Sequence, residues 1–217
     1  MKNSSLIKKT HWDIDPNMKK LVLASNNKGK LTELNALFEP LGFELIAQSS
    51  LGISEAPEPF HTFVENALSK ARHASQMSGL AALADDAGLC VDAFDGEPGV
   101  QTAFYATRFG YAKGDDNNVK ALLEQMKGIQ NRRAALVSTL VAVRHPNDPE
   151  PLIAVGRAVG EITQEPIGEH GFGFDPIMWI PSFAKTFAEL DPKIKNANSH
   201  RGLAAKRMCQ LITESWL

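Results

Sequence analysis

Residues 20–38 read KLVLASNNKGKLTELNALF, and this stretch decides the fold. It begins with a short apolar run, residues 21–24, of the kind that forms a buried strand. A polar turn follows at residues 25–30, and the apolar residues after it recur at helical spacing through Leu41. The pattern predicts a strand, a polar turn and an amphipathic helix, which is the opening unit of an α/β fold.

The remaining sequence continues this alternation of strands and helices. Thr62 and Glu65 have the spacing of a capping box, which predicts a helix opening at Thr62, and Ser199 opens a terminal helix. We expect further strands at residues 43–47, 80–94 with an acidic turn at Asp85-Asp86, and 134–143 and 152–163 as a hairpin, and a helix at residues 115–127. The fold class is therefore α/β, with a mixed, twisted central β-sheet flanked by helices in two lobes with a cleft between them.

The composition fits one ordinary globular domain. The chain has 217 residues, of which 43% are hydrophobic and 22% charged, and this is enough to bury a sizeable core. Residues 1–18 lack the apolar core of a secretory signal and are interpreted as an N-terminal extension. We expect a single α/β domain over residues 19–217.

Charge and cysteine usage exclude several classes of partner. With 23 basic and 25 acidic side chains the formal net charge is -2, so nothing draws the surface toward nucleic acid or anionic lipid. No apolar run approaches the roughly 20 residues that cross a membrane. Cys90 and Cys209 have no metal-ligand spacing and are too few for a disulfide framework. The sequence predicts a cytoplasmic protein without a nucleic acid or membrane partner.

The polar turn of residues 25–30 is a candidate phosphate site. Such a turn presents backbone N–H groups at the positive end of the helix dipole, and its lysines add charge. It is not a Walker loop, because the upstream glycine is missing and Leu31 follows Lys30. A solvated turn that only caps the helix explains the same residues. The candidates are Ser25, Asn26, Asn27, Lys28, Gly29 and Lys30.

An acidic pair, Asp85 and Asp86, is expected at a strand end, with Glu55 and Glu58 in an earlier loop. Side chains alternate along a strand, so only one aspartate needs to face a site. Mg²⁺ takes oxygen ligands and keeps several waters while it bridges substrate phosphates, so one or two carboxylates suffice. A plain acidic turn with exposed loop glutamates is the alternative.

The segment GEHGFGFDP at residues 168–176 is a candidate for binding a flat base. Its glycines let the backbone approach a ligand, and Phe172 or Phe174 offers a face for stacking. Asp175 is an acceptor for base or ribose donors. A tight bend with buried aromatic rings explains the segment as well.

Lys195 and the run Ser199-His200-Arg201 place hydrogen-bond donors near a helix start. Donors of this kind suit an oxo group or a phosphate. A plain helix cap followed by a solvated basic turn is the alternative.

From Lys20 to the C-terminal helix, the sequence resembles the pyrophosphatases of deaminated purine nucleoside triphosphates, also called the inosine triphosphatase or Ham1-like family. The motifs that carry the resemblance are SNNKGK at residues 25–30, TFVENALSKA at 62–71, ADDAGL at 84–89, GFGFDP at 171–176, and Lys195 with SHR at 199–201. The resemblance implies hydrolysis of ITP, dITP and XTP to the monophosphate and pyrophosphate, which sanitises the nucleotide pool. It also implies Mg²⁺ as cofactor and a homodimer.

The resemblance assigns a role to each motif. It implies that the turn at residues 25–30 grips the triphosphate, and that Asp86 holds Mg²⁺ and acts as, or positions, the base for the attacking water. Glu55 is the implied second metal carboxylate, and Asn66 and Lys70 are expected to point toward the phosphates. The implied nucleobase end consists of Phe172, Gly173, Phe174, Asp175, Lys195, His200 and Arg201.

Two residues depart from the family pattern, which commonly has Gly where this chain has Asn26 and Ser where it has Ala87. Asn tolerates a positive φ better than most residues, so the turn is retained. Ala87 lies in the substrate-binding motif but cannot donate the hydrogen bond that Ser gives. A hydrolase of other modified nucleoside triphosphates and a non-catalytic nucleotide-binding module are the rival interpretations.

Overall fold

A computed structural model describes residues 20–216, so the extension at residues 1–18 lies outside the described part. The strands are β1 (Lys20–Leu23), β2 (Glu44–Ala47), β3 (Ala82–Val91), β4 (Arg133–Val143), β5 (Leu152–Ile162), β6 (Met178–Ile180) and β7 (Lys185–Thr186). The α-helices are α1 (Lys28–Phe38), α2 (Phe63–Ser78), α3 (Asp115–Gln125), α4 (Pro192–Asn198) and α5 (His200–Ser215).

The strands form one seven-stranded mixed sheet in the order β2-β1-β3-β4-β5-β6-β7. β1 is parallel to β2 and β3, and the other pairs are antiparallel. The expected hairpin is β4 and β5, in which Ala142 pairs with Leu152. The prediction of a mixed α/β sheet flanked by helices is confirmed, and the division into two lobes stays a prediction.

Helices cover both faces of the sheet because side chains alternate along each strand. Leu21, Leu23 and Leu83 pack in one hydrophobic cluster with residues of α1 and α5. Val22 and Ala84 point the opposite way and pack in a second cluster against alanines of α2. The sheet therefore has an α1/α5 face and an α2 face.

The helix starts follow the predicted caps. The Thr62 side chain accepts a hydrogen bond from the Glu65 N–H at the start of α2. Ser199 does the same for the Gly202 N–H at the start of α5. Both caps satisfy N–H groups that have no partner inside the helix.

The acidic turn expected at Asp85-Asp86 is wrong. β3 runs unbroken through both residues, and Asp85 pairs with Leu140 and Asp86 with Thr139 of β4. An acidic pair within a buried strand is exceptional, and it persists here because cations from both faces contact the carboxylates. Residues 82–91 are therefore one ten-residue strand at the centre of the sheet, which the acidic pair made look like two strands joined by a turn.

Two glycines let α5 approach its neighbours closely. A Cβ atom at Gly156 of β5 would lie 1.9 Å from the His200 carbonyl oxygen. A Cβ atom at Gly202 would lie 1.7 Å from the Asn196 carbonyl oxygen of α4. Only glycine fits at these contacts, which hold the start of α5 against β5 and α4.

Within residues 20–216, the structure contains no helix of the length and apolarity that a membrane crossing requires.

The contact at Gly156 leads to a prediction about stability. Gly156→Ala should lower the free energy of unfolding by about 2–3 kcal/mol, because the added methyl forces α5 away from β5. Urea denaturation monitored by circular dichroism measures this change. Lys206→Ala, on the exposed side of α5, is the control and should cost less than about 0.5 kcal/mol. Equal losses in the two variants would contradict the role of the close contact.

Candidate functional site

A pocket of about 670 Å³ lies where the predicted motifs converge. Three predicted residues, Lys28, Gly29 and Asn66, do not line it. The predicted residues that line it are Ser25, Asn26, Asn27, Lys30, Glu55, Lys70, Asp86, Ala87, Phe172, Gly173, Phe174, Asp175, Lys195, His200 and Arg201. The motifs that are distant in sequence are therefore neighbours in the fold.

The polar turn joins β1 to α1 at one side of this pocket. Asn27 caps α1, since its side-chain oxygen accepts a hydrogen bond from the Lys30 N–H at 3.0 Å. The Asn26 side chain accepts one from Gln48 Nε2 at 3.4 Å. Capping accounts for the Asn27 side chain. Because Asn27 and Lys30 line the pocket, the N-terminus of α1 lies beside it, where its positive end suits an anion.

Asp85 lies on the α1/α5 face, and its side chain is fully buried. Its carboxylate accepts hydrogen bonds from Ser138 Oγ at 2.6 Å and Arg201 Nε at 3.1 Å, and it pairs with Lys30 Nζ at 3.1 Å. Burial disfavours the charged form, but Lys30, Arg201 and the Ser138 hydrogen bond outweigh it and hold the pKa of Asp85 well below its ordinary value. Asp85 is therefore an ionised structural centre for two cations of the site.

Glu33 of α1 is a site residue that sequence reasoning missed. Its side chain is 12% exposed and accepts hydrogen bonds from Lys195 Nζ at 2.7 Å and from Arg201. Lys195 Nζ also contacts Asp175 at 2.6 Å. The only signal was its position one helical turn after Lys30, which puts both side chains on one side of α1.

These contacts form one ion-pair chain of alternating charge. Burial disfavours the charged form of Lys195, but Asp175 and Glu33 outweigh it and raise the pKa of Lys195. The members of the ion-pair chain, in order, are Asp175, Lys195, Glu33, Arg201, Asp85 and Lys30. The chain links the glycine-rich segment to the polar turn through buried charges.

Asp86 lies on the α2 face, next to Asp85 in sequence but with different partners. Its carboxylate accepts hydrogen bonds from Lys70 Nζ at 3.0 Å and Asn66 Nδ2 at 3.4 Å. Lys70 also contacts Glu58 at 2.8 Å. Burial disfavours the charged form of Lys70, but the two carboxylates outweigh it and raise the pKa of Lys70. The residues expected to point at the phosphates, Asn66 and Lys70, thus hold Asp86.

Three carboxylates that line the pocket are candidate donors for a metal ion. Within residues 20–216 no three His, Cys, Asp or Glu side chains are grouped closely enough to hold a metal by themselves. Asp86, Glu55 and Glu58 all line the pocket, and Glu58 and Asp86 converge on the ammonium of Lys70. Hard oxygen donors of this number fit Mg²⁺ when a substrate and water complete its coordination.

Phe172 is the half-buried aromatic residue of the glycine-rich segment, whereas Phe174 is buried. Lys195 Nζ lies 5.2 Å and Arg201 Cζ 5.5 Å from its ring centroid. Phe174 also borders the pocket, but it is only 3% exposed and packs in the core. Asp175 accepts a hydrogen bond from the Phe172 N–H at 2.9 Å. A flat base would therefore stack on Phe172 rather than on Phe174.

His200 has a buried ring nitrogen that could form a hydrogen bond with a ligand. The residue is 5% exposed and lines the pocket, and its Nδ1 has no hydrogen-bond partner within residues 20–216. Burial, together with the charge of Arg201, holds the pKa of His200 well below its ordinary value, so the ring is neutral. An unpaired buried nitrogen costs free energy, which a polar ligand atom would recover.

Comparison with known proteins gives a family for this architecture. A family model described as the Ham1 family matches residues 21–211. The dITP/XTP pyrophosphatase of Albidiferax ferrireducens is 74% identical over 198 residues, which is 91% of this chain and 100% of that protein. The dITP/XTP pyrophosphatase of Paracidovorax citrulli is 71% identical over 197 residues, which is 91% of this chain and 99% of that protein.

Solved structures agree with these sequence matches. A HAM1 protein from Coxiella burnetii superposes with a TM-score of 0.83 at 42% identity, covering 91% of this chain and 100% of that one. The Ham1 protein of Staphylococcus aureus superposes with a TM-score of 0.79 at 34% identity, covering 90% of this chain and 99% of that one. The likeness extends over nearly the whole described chain.

The ion-pair chain leads to a second prediction. Glu33→Gln should lower the free energy of unfolding by about 2–3 kcal/mol, because it removes a negative charge from between two buried cations. Glu39→Gln alters an exposed carboxylate just after α1 and should cost less than about 0.5 kcal/mol. Urea denaturation at pH 7 compares them. If the two variants are equally stable, the ion-pair chain does not stabilise the fold.

His200 leads to a prediction about pH. The unfolded chain protonates this residue as the pH falls through about 6.5, whereas the folded protein keeps it neutral. The unfolded state then binds more protons, so stability falls with pH by up to about 1.4 kcal/mol per unit. His200→Gln should therefore lose less stability between pH 7 and pH 5 than the wild type.

Urea denaturation at both pH values tests this difference. Gln210→Asn, on the exposed side of α5, removes no titrating group and should lose as much stability as the wild type. An unchanged loss in the His200 variant would show that the folded protein also protonates this residue.

Proposed function

The chain belongs to the Ham1 family, and we propose that it hydrolyses deaminated purine nucleoside triphosphates, namely ITP, dITP and XTP, to the monophosphate and pyrophosphate. The observation that carries the proposal is that two consecutive aspartates of β3 lie on opposite faces of the sheet and contact different cations. Asp86 presents a carboxylate on the α2 face, while Asp85 organises Lys30 and Arg201 on the α1/α5 face. One strand thus connects a hydrolytic carboxylate with a base pocket.

Asp86 is the residue we assign to the attacking water. Its carboxylate accepts a hydrogen bond from the water and orients it toward the α-phosphorus, then takes its proton as the new P–O bond forms. Lys70 and Asn66 hold this carboxylate in position. Positioning of this kind supplies much of the rate enhancement in phosphoryl transfer.

The leaving pyrophosphate needs positive charge. The P–O bond between the α-phosphorus and its bridging oxygen breaks, and the electron pair stays on pyrophosphate. Lys30 lies at the turn that borders the pocket, and Lys28 begins α1 beside it. We propose that both lysines and the N-terminus of α1 stabilise the negative charge that develops on the pyrophosphate.

Mg²⁺ is the cofactor we propose, held by Asp86 and Glu55 with Glu58 beside them. When bound, it neutralises part of the polyphosphate charge. The support is the oxygen-donor chemistry of these three carboxylates, all of which line the pocket.

Selectivity for a 6-oxo purine follows from the donors of the base pocket. Lys195 and Arg201 carry only donors, and neutral His200 has one ring N–H to donate. A 6-amino group, itself a donor, would leave buried donors unpaired at about 1–3 kcal/mol each. Several such mismatches would disfavour ATP by orders of magnitude.

We also propose a cytoplasmic homodimer in which the extension at residues 1–18 precedes one domain at 19–217. The support for self-association is an apolar strip on the outer side of β5, where Ile153, Val155 and Val159 are 45%, 58% and 45% exposed. Exposed apolar strips of this kind are common at interfaces between chains.

A substrate panel tests the proposed function. We expect metal-dependent pyrophosphate release from ITP, dITP and XTP, and release from ATP and dUTP at least about 100-fold slower. GTP also carries a 6-oxo group, so its comparison with ITP isolates the effect of the 2-amino group. Asp86→Asn should lose at least about 1,000-fold of kcat. Asp92→Asn, in the 3-10 turn after β3, is the matched control and should keep wild-type activity. Equal release from every nucleotide would remove the base selectivity, release from pyrimidines alone would favour the rival hydrolase, and ITP binding without release would favour a binding module.

A further inference from the structure

A second wall of the pocket has so far no role in the proposed reaction. It consists of the 3-10 helix Gly99–Phe109 and the segment that leads to α3, and it brings Phe104 and Lys113 to the pocket. The wall lies tightly against β3, since a Cβ atom at Gly88 would be 2.3 Å from the Gly99 carbonyl oxygen. Thr102 Oγ1 adds a hydrogen bond from the Leu89 N–H at 2.9 Å. This wall is therefore positioned by the same strand that carries Asp86.

The side chains of Phe104 and Lys113 contact each other at the pocket. Lys113 Nζ lies 4.1 Å from the centroid of the Phe104 ring, close enough for a cation–π interaction. Phe104 is 47% exposed, and both residues line the pocket. Asp115, two residues on, accepts a hydrogen bond from the Gly173 N–H at 2.9 Å and ties this wall to the glycine-rich segment. The ring thus restrains an ammonium group at the pocket.

Lys113 differs from the other cations of the pocket in its charge partners. Four other cations line the pocket, and each already contacts one or two carboxylates: Lys30, Lys70, Lys195 and Arg201. Among the described residues, no carboxylate oxygen lies within 4.0 Å of Lys113 Nζ. An incoming anion must compete with protein carboxylates for the four paired cations, but it can pair with Lys113 directly.

We propose that Lys113, restrained by Phe104, binds the phosphates of the nucleotide from this second wall of the pocket. This inference rests on the proposed function and names one more residue that contacts its substrate. The polyphosphate would then contact both the turn of residues 25–30 and Lys113. Lys113 strengthens binding of the phosphates in the ground state as much as in the transition state, so it acts on KM rather than on kcat.

The chain offers a matched control. Lys120 Nζ lies 4.9 Å from the Tyr111 ring centroid, in the same kind of contact, but neither residue lines the pocket. A general effect of losing a surface charge or a cation–π contact would appear in both lysine variants. An effect of phosphate binding would appear only at Lys113.

The experiment compares Lys113→Gln, Lys113→Arg, Phe104→Leu and Lys120→Gln in the full chain. Titration calorimetry with inorganic tripolyphosphate and, separately, with inosine measures binding, and steady-state kinetics with ITP measures KM and kcat. Lys113→Gln should weaken tripolyphosphate binding and raise KM for ITP roughly tenfold, with kcat within about twofold and inosine binding unchanged. Phe104→Leu should give about a threefold loss, while Lys113→Arg and Lys120→Gln stay within about twofold of wild type.

The outcomes separate this inference from the proposed function. Equal effects of Lys113→Gln and Lys120→Gln, or weaker inosine binding with unchanged tripolyphosphate binding, would overturn the assignment of Lys113. If the wild type binds tripolyphosphate through Lys113 but does not hydrolyse ITP, the phosphate contact stands and the proposed hydrolysis fails. If ITP is hydrolysed and Lys113→Gln leaves KM unchanged, the hydrolysis stands and the phosphate contact fails.

Discussion

Two consecutive buried carboxylates in the middle of a sheet are the constraint on which the rest of the structure depends. Asp85 and Asp86 are neighbours on β3, so their side chains point to opposite faces. A buried carboxylate without partners is costly, so each face must supply its own cations. The α1/α5 face supplies Lys30 and Arg201, and the α2 face supplies Lys70. The helices that cover the sheet therefore also complete the site.

Close contacts between backbones determine whether these cations can contact the carboxylates. Arg201 reaches Asp85 because α5 lies directly against β5, and glycine at position 156 is what permits that distance. Gly88 likewise permits the close approach of the 3-10 helix Gly99–Phe109, which forms the second wall of the pocket, to β3. Packing and function are coupled here, since a side chain at either glycine would move charged groups as well as backbone.

Much of this site could be predicted from the sequence, because its motifs are short and local. The turn after β1, the caps at Thr62 and Ser199 and the β4/β5 hairpin depend on neighbouring residues, and the structure contains them. The strand through Asp85 was missed because its carboxylates look like a turn until their partners are known. Glu33 was missed because its partners, Lys195 and Arg201, are distant from it in sequence.

The pairing of charges within the pocket bears on how it can discriminate between ligands. Most of its cations are neutralised by protein carboxylates, so the arrangement is stable without a ligand and its geometry is set in advance. A ligand then gains little by replacing one carboxylate with another anion. The larger differences between ligands arise at atoms that have no partner, such as Nδ1 of His200. Selectivity in such a site depends on matching a few unpaired atoms rather than on the total charge.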